Sequence, residues 1–249
     1  MNKIALSFLI TCIAGFSTLL GMIPCYFNEK NKNMIIATSL AFSSGIMLSI
    51  SLVSLIPESL NLLSGNYKLF PAILLIMIFI VAGILTSSSI DEEIEKNLQK
   101  SKLYKLGIIS IIALILHNIP EGITTFISTN TNTRLGLTIS LAIALHNIPE
   151  GIAIAIPICY STGNKKKAFL YTFISGFSEL FGAILAYLFI AKYINSLILS
   201  AILGATAGIM IHISIYELLP NSFDYKNKRA TIVAFVIGFI TMLLCDMIF

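Results

Sequence analysis

A six-residue phrase occurs twice in the chain: His117-Asn118-Ile119-Pro120-Glu121-Gly122 and, 29 residues on, His146-Asn147-Ile148-Pro149-Glu150-Gly151. In each copy His and Glu stand at i, i+4, so on a helix both side chains leave one face, with Asn at i, i+3 from the Glu. Imidazole suits Zn, Fe, Ni and Cu, whereas hard cations take all-oxygen sites. A mixed set of His, Glu and Asn without cysteine therefore points to exchangeable binding of a divalent transition metal. Each copy also carries a proline. A mid-helix proline removes one backbone hydrogen bond and frees the carbonyl four residues back, here that of Leu116 and that of Leu145. Two kinked helices offering imidazole, carboxylate, amide and a freed carbonyl can build a cation site between them.

The elements that carry these residues are membrane spans. The 249 residues are 57% apolar and 11% charged, with mean hydropathy +0.92, where a soluble domain carries about 25% charged residues. No polar segment is long enough to bury a core of its own. A span needs about 20 apolar residues, and eight such stretches are read: 4–27, 34–60, 69–90, 106–128, 134–159, 168–191, 197–219 and 230–249. Lys3 before an apolar stretch resembles a signal peptide, but that stretch is longer than an h-region and no A-x-A site follows it, so it is read as span 1. The expected fold is an all-α integral membrane protein, one transmembrane transporter domain over 1–249.

The loops after spans 1, 3, 5 and 7 hold Lys30, Lys32, Lys96, Lys100, Lys102, Lys105, Lys165, Lys166, Lys167, Lys226, Lys228 and Arg229, which is 12 of the 16 basic residues. The other side holds Lys3, Lys68, Arg134 and Lys192. The positive-inside rule then puts both termini outside the cytoplasm. The segment 91–105, which mixes Asp91, Glu92, Glu93 and Glu95 with lysines, reads as a solvated cytoplasmic linker or short helix; metal sensing is its alternative role.

Gly45-Ile46-Met47 through Pro57-Glu58-Ser59 matches Gly208-Ile209-Met210 through Pro220-Asn221-Ser222 at eight of fifteen positions. These segments lie in spans 2 and 7, and the two metal-ligating phrases lie in the adjacent spans 4 and 5. The simplest description is three helices, a central pair, and three helices in inverted order. Inverted repeats of this kind mark secondary transporters, whose substrate site lies near mid-membrane between kinked helices.

All sixteen basic residues fall in loops or at span ends, yet Glu121, Glu150 and Glu179 fall deep in spans 4, 5 and 6, and His117, His146 and His212 are also intramembrane. An ionised carboxylate there costs a few kcal/mol or more unless paired or facing water. Either these glutamates are protonated or a mobile cation neutralises them. His212, with no second histidine on its span, reads either as a helix–helix hydrogen-bond partner or as a residue of the pathway. Glu58 and Glu217, near opposite span ends, are interfacial carboxylates or line an entrance and an exit. The serines of span 2 (Ser43, Ser44, Ser49, Ser51, Ser54) line a polar path or let helices approach closely. Cys12, Cys25, Cys159 and Cys245 are scattered with no CxxC, and read as small apolar helix residues rather than a disulfide framework or thiolate site.

The doubled phrase on successive spans resembles the paired signature of the ZIP (Zrt/Irt-like) metal-ion transporters. Eight spans, a short third loop and Ser175-Gly176-Phe177-Ser178-Glu179 on span 6 resemble the bacterial ZupT-type branch, which takes up zinc and other divalent metals. The resemblance covers essentially the whole chain. It implies uptake of Zn2+, and of Fe2+, Mn2+, Co2+ and Cd2+, across the inner (plasma) membrane. It implies a two-metal centre: one metal on His117, Glu121, His146 and Glu150, the second on Asn118, Asn147 and Glu179, with Glu121 and Glu150 bridging. Asn147 stands where some relatives have Asp, so the second site carries less negative charge here. A homodimer is implied by the resemblance alone. The expected partners are divalent ions and the bilayer, with no nucleic acid.

Two alternatives stay open. Paired His/Glu helices also build di-metal carboxylate enzymes, but there the motif is Glu-x-x-His, whereas here His precedes Glu by four. The zinc-protease motif H-E-x-x-H is absent. The chain is therefore read as a non-enzyme. A metal exporter on the same scaffold is the other alternative, because the site chemistry does not fix flux direction and only the resemblance implies import.

Overall fold

The computed structural model describes residues 2–27, 29–190, 195–225 and 227–248; Lys192 and Lys226, two of the basic residues weighed above, lie outside them. The described residues are helical with short turns and contain no β-strand. Among the described residues eight helices are long and apolar enough to cross a membrane: α1 (Lys3–Tyr26), α2 (Lys32–Ser64), α3 (Leu69–Asn97), α4 (Lys102–Thr131), α5 (Thr133–Thr162), α6 (Lys165–Leu188), α7 (Ser196–Phe223) and α8 (Lys228–Ile248). The chain is a multi-pass membrane protein.

Polar side chains set several helix ends. Ser101 caps α4 by accepting from the Tyr104 N–H, and Asn132 caps α5 by accepting from the Arg134 and Leu135 N–H groups. Gly163, at φ 65°, closes α5 in the left-handed conformation that glycine adopts most easily. α3 runs to Asn97 rather than stopping at residue 90. Its last turns are held by i, i+4 pairs, Lys96 Nζ to Glu92 Oε1 at 2.6 Å and Asn97 Nδ2 to Glu93 Oε1 at 2.5 Å. The acidic run Asp91–Glu95 is thus helical extension, and the linker shrinks to 98–101. Lys105 of α4 pairs with Glu95 of α3, and Lys102 reaches Asp224 beyond α7 at 2.9 Å.

The sequence repeat in α2 and α7 is also a repeat of local structure. Both helices widen to π-type turns at matching positions, Ile50–Leu55 and Ile213–Leu218, just before Pro57 and Pro220. Wide turns of this kind interrupt the regular ladder and re-aim side chains. α1 tightens instead, into 3₁₀ geometry over Ser17–Tyr26. There Ser17 Oγ donates to Ala14 O at 2.6 Å and Thr18 Oγ to Gly15 O at 2.5 Å.

Packing divides the helices. α4 touches α5 and α6 extensively and α1 packs on all three, while α2 pairs with α8 and α3 with α7. In its most apolar stretch α4 is 67% buried, whereas α3 and α8 are each 17% buried. α3 and α8 are therefore the most exposed of these helices, and α1, α4, α5 and α6 enclose the residues of the doubled phrase.

Candidate metal site

The i, i+4 spacing on α4 and α5 does what the sequence suggested: it turns each His and Glu inward, and the two helices face each other. His117, Asn118, Asn147, Glu150 and Glu179 are fully buried, and Glu121 and His146 keep only 6% and 5% exposure. Glu121 Oε1 lies 2.8 Å from His146 Nε2 and 3.1 Å from His117 Nε2, and Glu150 Oε1 lies 3.0 Å from His117 Nε2. One donor atom each from His117, Glu121 and His146 falls within 4.8 Å of the others.

The orientation of these atoms matters as much as their distances. His117 Nε2 makes no directed hydrogen bond to either carboxylate, and both oxygens of Glu150, Oε2 of Glu121 and Oε1 of Glu179 are buried without a hydrogen-bond partner. Buried polar atoms are nearly always satisfied, so lone pairs converging without donors form a group that could hold a cation. Zinc binds N and O ligands at about 2.0–2.2 Å, so ligand atoms across a tetrahedral ion stand roughly 3.3 Å apart. The observed separations of 2.8–3.1 Å accommodate such an ion after an outward shift of a few tenths of an ångström, about what the rotamers of Glu allow. Among the described residues no lysine or arginine pairs with the three carboxylates, the described basic residues being in turns or near helix ends.

The amides are aimed by their neighbours. Asn118 Nδ2 donates to the Ser175 carbonyl at 3.0 Å and lies 3.3 Å from Ser175 Oγ. Asn147 Nδ2 donates to Ala14 O at 2.9 Å and to Glu179 Oε2 at 2.7 Å. With both donors occupied, Oδ1 of each asparagine is left buried and unpartnered. α6 and α1 thus serve the two copies of the phrase in parallel fashion, Ser175 holding Asn118 and Ala14 holding Asn147.

Hydroxyl groups serve α5 around its proline. Ser43 Oγ of α2 donates to Pro149 O at 2.6 Å, and Ser17 Oγ of α1 to Ala144 O at 2.8 Å. Among the other serines of α2, Ser44 donates to Ser214 O of α7, Ser51 to its own helix, and Ser54 to Asp246 of α8. These serines mostly join helices.

The structure brings together His117, Glu121, His146 and Glu150 as one group and joins Glu179 to Asn147. It does not bring in His212, Glu58 or Glu217. His212 is buried against α3, its Nδ1 3.0 Å from Ser87 Oγ and its ring stacked on Tyr216 at 5.1 Å. Glu217 is half-buried in the wide turn of α7, and Glu58 is exposed on α2. Sequence reasoning missed Ser175, the Ala14 carbonyl and the last residue of the phrase. A Cβ on Gly122 would collide with the Glu179 carbonyl of α6, and one on Gly151 with the Thr18 carbonyl of α1. The signal was present, because glycine recurs in both copies of the phrase.

A family model described as ZIP Zinc transporter matches residues 85–246. Similar proteins include the zinc transporter ZupT of Clostridium perfringens (strain 13 / Type A), 34% identical over 100% of this chain and 98% of that protein. The zinc transporter ZupT of Streptococcus mutans serotype c is 34% identical over 98% of this chain and 97% of its own length. That of Campylobacter jejuni subsp. jejuni serotype O:2 is 36% identical, over 98% and 96% respectively.

Proposed function

The chain belongs to the ZIP zinc transporter family, and from that premise we propose that it carries divalent transition-metal ions, zinc foremost, into the cytoplasm through the His/Glu/Asn cluster of α4, α5 and α6. The observation that carries this reading is the convergence of the His117, Glu121 and His146 donor atoms within 4.8 Å, buried among helices. His117, Glu121, His146 and Glu150 hold one ion; Asn118, Asn147 and Glu179 hold a second, with Glu121 and Glu150 bridging. Fe2+, Mn2+, Co2+ and Cd2+ are further cargo. The protein is a transporter and not an enzyme: the donor set exchanges its ion, and the inverted His-then-Glu order departs from di-metal enzymes. The test is uptake by the purified chain in proteoliposomes, with a panel of ions. Zinc is expected to accumulate above empty vesicles; no transport of any divalent ion would remove this reading.

The single transporter domain over 1–249 is arranged as three helices, a central pair and three inverted helices, with α1, α2 and α3 related to α6, α7 and α8. Paired close approaches support that relation. Gly45 of α2 meets the Phe235 carbonyl of α8, while its counterpart Gly208 of α7 meets the Ile80 carbonyl of α3. Likewise Gly83 of α3 meets the Ala205 carbonyl and Gly238 of α8 the Phe42 carbonyl. The protein sits in the inner membrane with both termini outside, in a homodimer. Orientation is tested with single cysteines in a background lacking the native four. One at Lys166 is expected to react with an impermeant thiol reagent only after the membrane is opened, and one at Asn132 from outside intact cells. The reverse pattern would overturn the orientation.

A further inference from the structure

The three helices that carry the His/Glu/Asn cluster meet at one end around a basic cleft. Lys100 and Ser101 in the turn before α4, Tyr104 of α4, Ser161 and Thr162 at the end of α5, and Lys167 in the first turn of α6 line a cavity of about 380 Å³, a volume usual for a small-ligand site. No acidic residue lines it. Lys167 is held in place: its Nζ donates to the Tyr104 hydroxyl at 2.8 Å and lies 4.7 Å from the centre of the Tyr104 ring and 5.6 Å from that of Tyr171. An ammonium has three donors, and this bond uses one. Ser101 Oγ accepts from the Tyr104 N–H, which leaves its own O–H to donate. Neighbouring lysines are matched with carboxylates, Lys96 with Glu92, Lys102 with Asp224 and Lys105 with Glu95, whereas among the described residues Lys100 and Lys167 pair with none. Neither α4 nor α6 has an acidic residue in its first turn, where a negative charge would offset the partial positive charge of a helix start.

Two ammonium groups without counter-charge, a hydroxyl with a proton to give and two helix starts without acids offer donors and lack acceptors. That chemistry fits a phosphate oxyanion. The surroundings favour a phosphate carried by a lipid. The cleft lies at the ends of membrane-spanning helices, and Leu170 and Ile174, at i+3 and i+7 from Lys167 and so on its side of α6, are 52% and 39% exposed. An apolar strip leading inward from a basic cleft matches a molecule with an anionic head and hydrocarbon tails, and basic pockets between transmembrane helices take anionic headgroups. We propose that this cleft binds the phosphate headgroup of one anionic phospholipid, with an acyl chain along Leu170 and Ile174. The headgroup ties together the ends of α4, α5 and α6, the helices that bear His117, His146 and Glu179. The inference goes beyond the transport reading: it needs neither bound metal nor flux, and it holds for whichever leaflet this end of the helices meets.

The test titrates phosphatidylglycerol into the detergent-purified full chain and counts bound lipid by native mass spectrometry. One tightly held molecule per chain is expected. Lys100→Gln combined with Lys167→Gln should weaken its binding by roughly 10- to 30-fold, the scale set by two lysines near a membrane surface. Lys165→Gln combined with Lys166→Gln removes the same charge from the same end of α6, outside the lining of the cleft, and should leave binding unchanged. An unchanged elution profile and thermal stability show that both double variants remain folded. Equal affinity in the two double variants overturns the proposal, as does no tightly held lipid on the parent chain, or phosphatidylcholine held as tightly as phosphatidylglycerol. A second arm adds soluble glycerol 3-phosphate at the concentration of the lipid. The lipid is expected to stay bound; its displacement would make the cleft a site for free phosphate compounds and overturn the lipid assignment.

Discussion

Zinc uptake by Glu150→Gln is expected to fall by more than about 100-fold, beyond the 10–100-fold that outer-shell partners of a metal typically contribute. Glu150 is fully buried, both of its oxygens lack hydrogen-bond partners, and Oε1 lies 3.0 Å from His117 Nε2. Glutamine keeps its shape and volume, so packing survives, but the negative charge is lost and an N–H group can turn toward the cation. His146→Ala is expected to come next, since losing an imidazole weakens the preference for zinc over harder ions. Glu179→Gln should do less: Glu179 reaches the rest of the cluster through Asn147. His212→Ala should be mildest, because its hydrogen-bond partner is Ser87 on α3. The measurement is initial uptake of radioactive zinc into vesicles, normalised to protein in the membrane. Robust uptake by Glu150→Gln would refute the central site.

That ordering separates what a linear sequence can carry from what it cannot. The His/Glu cluster is legible because its geometry is local: His and Glu four apart on one helix need no tertiary information to share a face, and repetition supplies its second half. Eight apolar stretches give eight helices for a similar reason, since bilayer thickness fixes their length. For the acidic run at the end of α3 the sequence leaves linker or short helix open, and the i, i+4 pair of Glu92 and Lys96 extends the helix through it. Other features have no local trace. Ser175 and the Ala14 carbonyl orient the asparagines only because α6 and α1 pack there. His212 drew attention by its type, while its environment assigns it to the α3–α7 seam.

Glycine in the sixth position of the phrase leads to the second large effect. At Gly122 the α4 backbone comes so close to the Glu179 carbonyl that a methyl group cannot be placed without moving a helix. The obstacle is backbone, which cannot swing aside as a side chain would. Gly122→Ala must push α6 away from α4, and overpacking of this kind costs about 1–3 kcal/mol. The damage falls on the site, because the displaced residue is Glu179, whose Oε2 is 2.7 Å from Asn147 Nδ2, and because the same movement draws Ser175 from Asn118. A displacement of ångström size in a preorganised site can cost on the order of 100-fold in rate, and a similar loss of zinc uptake is expected here, with the protein still reaching the membrane. Gly151→Ala should act alike through the Thr18 carbonyl of α1. As a control, Gly65→Ala places a methyl group in open space at the end of α2 and should leave uptake unchanged. Uptake rates are compared with thermal stability for all three variants. If Gly122→Ala transports zinc normally, the tight α4–α6 contact does not set the position of Glu179, and the proposal that Glu179 helps hold a second ion falls.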